Sequence, residues 1–566
     1  MGNRLATIPA HLHTCQHDRR ATVSALYAAV HCGAVARSAP AEPASFQITC
    51  GASTITNKRV AIIGAGISGL AYAEVLTRCG FAVVLFDHAP CIGGVWARAY
   101  PGVSLQNTAA EYHLSTFAWP FTPDQHPTGE QILRYLHALV EARQFDVRLR
   151  HEVLAARADS PRGWLLEVRR STHNGKDEQT FSQHFDYLVV STGQYSEGKH
   201  RPPLAGEPQF AGSVVTERDV KDLSMFDGAR VAVVGFGKSA LDMASFAAPR
   251  AAQVHHIFRT PRWLIPRSVY GIHFTTLMFC RFTTALMPGW AQPTALERVL
   301  HRCQPLIKAN WAAVGALMRH LAIRDAGHTD AVGAARVATV LPSHGLTGDL
   351  RSALALAPAD YFAQVASGTI MPHHAEVAGL FAEGVELSSG TRIAADIVVL
   401  SLGSLAPRFP FLNAALRALL EAENDGVQLY RHVIHPLIPE LAFAGFNHGF
   451  MHVPAAEVGA LWVAALWQDK MQLPPPAVMA KSVAHVLAWK RQHIHFEASR
   501  SCAVSTRFQQ YIDIMLADLG LSPYRKLPNV LAEIFSAYGA SDYRGVVDEF
   551  LAQPASGTRH PLDLNT

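Results

Sequence analysis

The stretch Lys58–Trp96, KRVAIIGAGISGLAYAEVLTRCGFAVVLFDHAPCIGGVW, decides the fold. Arg59–Ile63 is a short apolar run bounded by glycine and predicts a buried strand. Gly64, Gly66 and Gly69 follow in a tight turn, a helical stretch comes next, and Phe81–Phe86 predicts a second strand ending on Asp87. GxGxxG between a strand and a helix is the setting in which that spacing binds a dinucleotide. The first glycine makes the turn, the second lets the backbone approach a pyrophosphate, and the third lets helix and strand pack closely. The pyrophosphate rests on free N–H groups at the helix start, here Ile67 and Ser68. Asp87 stands 18 residues past Gly69, where a carboxylate can take two ribose hydroxyls. The pair Gly93-Gly94 just beyond it lets the chain pass close to a flavin rather than a nicotinamide.

Working outward, 566 residues are enough for roughly two to four domains. A hydrophobic content of 49% against 17% charged residues describes an ordinary globular chain. The formal charge of +4 is spread out, and no basic stripe with interleaved aromatics suggests nucleic acid. The eight cysteines (Cys15, Cys32, Cys50, Cys79, Cys91, Cys280, Cys303 and Cys502) include no CxxC pair and no metal spacing with histidine. They read as thiols in a reducing, cytoplasmic setting. His255-His256 and His373-His374 look like ligand pairs, but neighbours on a strand face opposite ways, so no metal is expected. Cys91 has no second cysteine close by in sequence, which removes a redox-disulfide reading.

Residues 1–55 look foreign to the rest: Arg4, Arg19, Arg20 and Arg37 outnumber Asp18 and Glu42. A disordered extension, a weak targeting peptide and an upstream start site compete there, and composition favours the first. Thr128 with Gln131 predicts a capping box for a helix over 128–145, and strands follow at 147–149, 164–169 and 185–190. The last of these runs into Ser191-Thr192-Gly193, a place where backbone can meet a cofactor. After the rigid connector Arg201–Gly206, a second dinucleotide unit begins. Arg230–Val234 is its strand, Gly235-Phe-Gly237-Lys238-Ser239-Ala240 its turn, and Gln253–Phe258 its second strand. That strand ends on Arg259 rather than an acid. A guanidinium pairs with a 2′-phosphate that a carboxylate would repel, so Arg259 and Thr260 argue for NADPH. Residues 268–345 read as a helical insertion; Arg281 and Pro288 interrupt its apolar part, so no transmembrane helix is expected, and a monotopic membrane patch is the less favoured reading. Strands return at 384–387, 391–393, 395–402 and 441–446, and a helix over 455–466 carries Glu457.

The expected architecture is α/β, with two Rossmann-like dinucleotide-binding domains, the NADP domain inserted in the FAD domain. The division is an extension (1–55), the first part of the FAD domain (56–205), the NADP domain (206–370) with its insertion, the rest of the FAD domain (371–473) and a helical C-terminal region (474–566). Over about Lys58–Tyr543 the chain resembles the flavin-containing monooxygenases of class B. The matching pieces are GAGISG at 64–69, GGVW at 93–96, LQNTAAEYHLSTFAWP at 105–120, STG at 191–193, GFGKSA at 235–240, FRT at 258–260 and FPFL at 409–412.

The resemblance implies an FAD- and NADPH-dependent monooxygenase of the N,N-dimethylaniline-oxidising kind. Such an enzyme inserts one atom of O2 into a nitrogen or sulfur nucleophile through a flavin C4a-hydroperoxide. It implies Asn107 as the catalytic side chain at the flavin edge. It also implies cofactor contacts from Gly94, Val95, Trp96, Gln106, Asn107, Thr108, Thr192, Gly193, the second turn and Gly403. Where the family signature F-x-G-x-x-x-H ends in histidine this chain has Thr216, and no tryptophan follows, which argues against Baeyer–Villiger ketone oxygenation. Thr216, together with Leu402 in the later A-T-G-Y box, keeps a non-oxygenating NADPH oxidase or nucleotide-binding flavoprotein in view.

Overall fold

The computed structural model describes residues 58–563, apart from 160–161, 172–177, 195–197, 288, 328–329, 351–353, 448, 494–503, 505–506 and 555–558. The extension read over 1–55 lies outside the described residues.

The run RVAII forms β1 (Arg59–Ile63), because a continuous β-branched and apolar segment suits a strand covered on both faces. It is the middle of a five-stranded parallel sheet. β2 (Ala82–Asp87) and then β3 (Asp146–Leu149) lie on one side of it. On the other side lie β7 (Tyr187–Val190) and, beyond it, the last strand of the chain (Leu441–Phe443). Arg59 pairs with Ala82 and Ile63 with Phe86, so the turn after β1 and the acid at the end of β2 come out side by side. Between β3 and β7, three strands make an antiparallel layer: β4 (His151–Ala158), β5 (Trp164–Ser171) and β6 (Glu178–Phe185). The single strand expected over 185–190 is in fact broken at Asp186. Its carboxylate accepts the Arg59 N–H at 2.6 Å, where the chain leaves the antiparallel layer and enters the parallel sheet. The strand expected over 441–446 stops at Phe443, because Gly445 turns the chain at φ +85°.

The second parallel sheet follows β7 in sequence. Its central strand, β9 (Arg230–Val234), is flanked by β10 (Gln253–Phe258) and Ile397–Leu400; Ile370–His374 and β8 (Ser213–Thr216) lie at the edges. The chain returns to the first sheet only at Leu441. Helices fill the stretch between β10 and Ile370, the longest being Gln304–Asp325. Two arginines, Arg281 partly buried and Arg507 buried, tie this stretch to the C-terminal region. Arg281 holds Asp513 at 2.6 Å and also Glu533, and Arg507 donates to the Met287 carbonyl at 2.9 Å. Truncating Arg281 would strand two buried acids, and breaking a buried pair in this way typically costs about 3–5 kcal/mol. Among the described residues no helix is long and apolar enough to cross a membrane.

Thr128 caps the helix Gly129–Arg143 with Gln131 in the reciprocal box read from sequence. The helix His452–Trp467 is apolar all round and runs through the core beside Ile67–Arg78. Its Glu457 accepts the Ser115 N–H at 2.9 Å and the Ser115 hydroxyl at 3.0 Å. Burial pushes this carboxyl up to about 8, with the neighbouring Glu74 adding to the shift. An acid held above its ordinary value of 4.5 adds stability that is complete below that value and is lost as pH rises through 8. Glu457→Gln is therefore expected to flatten the fall in melting temperature across the upper half of that window. Parallel slopes for the two proteins would show that Glu457 is ionised throughout.

Candidate functional site

Where β1 ends, Gly64 donates to the Phe86 carbonyl at 2.7 Å and takes φ +112°. A Cβ there would lie 2.2 Å from the Ser191 carbonyl, so this position needs glycine for the fold itself. Gly66 differs. Its backbone is extended, and a Cβ would find nothing nearer than the Gly94 Cα at 3.8 Å, apart from adjoining residues. Gly94 faces it in turn, at φ +57°. Two glycines thus lie open against each other beside the N-terminus of the helix Ile67–Arg78. A side chain at Gly66 would enter space that the protein leaves clear, while a Cβ at Gly94 would press on the Gly66 backbone at 3.3 Å; this close approach of two backbones fits a pyrophosphate and flavin at this turn. Asp87 is oriented by the same turn: its carboxylate accepts the Ala65 N–H at 2.8 Å and the Ala89 N–H at 2.9 Å.

These groups line one cleft of about 740 Å³. From the first unit it takes Gly64, Gly66, Ile67, Ser68 and Asp87, then Gly94, Val95 and Trp96. Gln106, Asn107, Thr192 and Gly193 continue the wall, and Lys238 and Ser239 enter it from the second unit. Eight positions singled out from sequence do not line the cleft. Gly69 packs on the Gly64 carbonyl, and Thr108 is spent on Glu111, to which its N–H and hydroxyl donate at 2.7 and 2.6 Å. Gly235, at φ +126°, sits against the Ser401 carbonyl with Ala240 beside it, while Gly237 caps the helix Lys238–Ala247 and faces open space. Arg259 and Thr260 leave the end of β10, with Arg259 largely exposed and its Nε 3.8 Å from Glu376. Gly403 turns the chain at φ +91° and accepts the His200 N–H at 2.9 Å.

The second turn is held from behind. His256 is fully buried, with Nε2 donating to the Gly235 carbonyl at 2.7 Å and Nδ1 meeting the Tyr361 hydroxyl at 2.9 Å. Burial lowers its pKa to about 4, so the ring is neutral and its tautomer is set by the carbonyl. The two units are bridged in front of that turn: Tyr100 donates to Asp242 at 2.8 Å, and Asp242 also pairs with Lys238.

Asn107 is no turn residue. Its Nδ2 donates to the Phe450 carbonyl, 343 residues away in sequence, and its own carbonyl takes the His126 Nδ1–H at 3.0 Å. Gln106 beside it accepts the Leu356 N–H at 2.9 Å. The wall also contains residues that sequence reading did not single out, among them Lys199, Arg408, Phe450 and His452. Lys199 pairs with Glu217 at 2.7 Å, and the His452 Nε2 lies 3.0 Å from the Ser68 hydroxyl. None of these carries a local motif. Of the histidine pairs, His255 meets His373 at 3.0 Å, and among the described residues no cluster of three or more ligating side chains occurs.

The geometry can be set beside known proteins. The model of the flavin-binding monooxygenase-like family matches residues 57–304. The "Probable flavin-containing monooxygenase 1" of Arabidopsis thaliana is 29% identical over 540 residues, which cover 87% of this chain and 97% of that protein. The dimethylaniline monooxygenase (N-oxide-forming) 2 of Rattus norvegicus is 26% identical, covering 82% of this chain and 83% of its own. Among solved structures, S-allyl-L-cysteine S-oxygenase from Allium sativum superposes with a TM-score of 0.57 at 17% identity, covering 88% and 95% of the two chains. An oxidised steroid monooxygenase bound to NADP gives 0.59 at 18%, covering 82% and 98%. At such identities the structures speak for the shared two-unit fold alone. The sequence relatives span more than four-fifths of this chain, and the stretch that the family model matches runs through both glycine turns, so over that stretch the chain is similar to the flavin-binding monooxygenase-like family.

Proposed function

We propose that the chain is an FAD- and NADPH-dependent monooxygenase that places one atom of O2 on a nucleophilic nitrogen or sulfur of a small molecule. The observation that carries this reading is that the first glycine turn, the start of the second helix and the Asn107 amide all border one cleft. FAD would be held by Gly64–Gly69, Asp87, Gly94–Trp96, Thr192 and Gly193, and NADPH by Gly235–Ala240, Arg259, Thr260 and Gly403. Bound FAD supplies the redox chemistry that activates dioxygen, with the hydride that NADPH brings.

The chain's own groups bind, orient and keep water out. Asn107 offers an amide that cannot titrate, braced between two parts of the chain. Trp96 donates to Tyr112 at 2.8 Å and, with Phe450 and Leu354, supplies the apolar wall that keeps the reacting centre dry. Thr216, where the resemblance expects histidine, is buried and donates its hydroxyl to Asp219 at 2.8 Å. None of Cys79, Cys91, Cys280 and Cys303 forms a disulfide, which supports placing the protein in a reducing cytoplasm.

The test is NADPH oxidation followed together with oxygen uptake, peroxide release and product, over amines, sulfides and ketones. One N-oxide or S-oxide per NADPH is expected. Peroxide alone with every substrate would overturn the reading, and an ester from a cyclic ketone would replace it with Baeyer–Villiger chemistry. In the same assay Arg259→Ala is expected to raise the KM for NADPH about tenfold and leave that for NADH nearly unchanged, since only NADPH carries the 2′-phosphate. Equal changes for both would remove Arg259 from phosphate recognition.

A further inference from the structure

Two histidines hold the backbone of Asn107, and their significance rests on the role of Asn107 proposed above. A backbone carbonyl can only accept, so the contact from His126 to the Asn107 carbonyl places a proton on the His126 Nδ1. A neutral ring then has a bare Nε2. That atom lies 3.1 Å from the His273 Nε2, the rings 5.1 Å apart between centroids. His273 must therefore donate from its Nε2, which leaves its Nδ1 as acceptor. The Thr275 N–H reaches that atom at 3.3 Å, and the Thr275 hydroxyl lies 2.9 Å from it. His273 is thereby the N-cap of the helix Phe274–Met278, within the helical stretch that follows β10. One carbonyl thus dictates the protonation of two rings from different parts of the chain.

We infer that His126 and His273 are a positioning pair: His126, as the Nδ1–H tautomer, fixes the backbone of Asn107, and His273 fixes that tautomer. The charges around the pair act in its favour. Burial lowers the pKa of both rings, and Arg267 disfavours a further proton on each. Lys238 does the same at His126. Glu111, which faces Thr275 from below the loop, is itself held above the ordinary carboxylate range by burial. A second proton at the His126 Nε2 would set two donors against each other across 3.1 Å. To relieve this, His273 would have to change tautomer and abandon the Thr275 N–H. Acid therefore uncaps the helix, while the Nδ1–H of His126 keeps its bond to the Asn107 carbonyl.

The direct test is the nitrogen-15 spectrum of the histidine rings in the FAD-loaded protein, with signals assigned by their loss in His126→Gln and His273→Gln. At about pH 8 His126 should report a protonated Nδ1 and His273 a protonated Nε2. The opposite tautomer at either ring overturns the proposal. The second test is the fraction of NADPH consumption released as peroxide. His126→Gln is expected to raise it about fivefold with FAD content retained, because its amide cannot reach the Nδ1 position. His126→Asn, whose Nδ2 occupies that position, should recover most of the coupling. Equal coupling in the Gln and Asn variants would also overturn the proposal. If Asn107→Ala leaves coupling unchanged, the reading of Asn107 falls, while the ring spectra still decide whether the pair holds its backbone.

Discussion

A Gly66→Val protein is expected to fold and to leave purification colourless. The backbone at Gly66 has φ −81° and ψ 178°, which valine adopts without strain, and the space beside it is open up to Gly94. The substitution costs the fold about 1 kcal/mol, mostly from a poorer helix start. It costs FAD far more, because two methyl groups would stand where a pyrophosphate must touch backbone. A loss of affinity of about 1000-fold, or about 4 kcal/mol, is expected. Gly64→Ala should behave oppositely. It sets a Cβ 2.2 Å from the Ser191 carbonyl at φ +112° and should yield little soluble protein. Flavin absorbance per mole of protein, read beside circular dichroism and a thermal melt, separates the two outcomes. A yellow Gly66→Val protein at full stoichiometry would show that no cofactor lies against this turn.

Asn107→Ala should keep FAD and continue to oxidise NADPH, but product formation should fall about 100-fold, the usual cost of losing one oriented donor at a reacting centre. The missing product should reappear as peroxide. Some loss of melting temperature is expected as well, because the Phe450 carbonyl loses its partner, at about 1–3 kcal/mol for a buried acceptor. Asn107→Asp sharpens the test. It preserves the shape but turns a carboxylate toward that carbonyl, so it should be no better than alanine in coupling. Unchanged product per NADPH in either variant would reduce Asn107 to a brace between two loops.

Legibility in the sequence followed locality. The first glycine turn, its flanking strands and Asp87 were readable because the contacts that join them to one another lie within one short stretch: Gly64 with Phe86, and Asp87 with Ala65. The Thr128–Gln131 cap was readable for the same reason. The break at Asp186 was not, because the Arg59 N–H that rewards it lies 127 residues away. Gly66 and Gly94 were each visible as motif glycines, yet that they face one another emerges only when the chain folds back. Asn107 was legible through resemblance, while its partners Phe450, His126 and His273 meet it by contacts that leave no periodicity or spacing behind. The helical stretch after β10 was legible as helix and silent about what its first residues touch.

The order of strands in the first sheet carries a consequence for biosynthesis. β7 waits for Leu441–Phe443 as its outer neighbour, and between them the ribosome makes all of the second sheet. That sheet can close once Ile397–Leu400 has emerged between β8 and β9, so the inserted unit is complete while the unit around it still has a raw edge. The carbonyl that braces Asn107 and the imidazole beside Ser68 leave the exit tunnel later still, at Phe450 and His452. Flavin capture is therefore a late event in the life of the nascent chain. A polypeptide interrupted near residue 440 would present a finished nucleotide half and an open apolar edge, a form suited to recognition by chaperones and proteases rather than to catalysis.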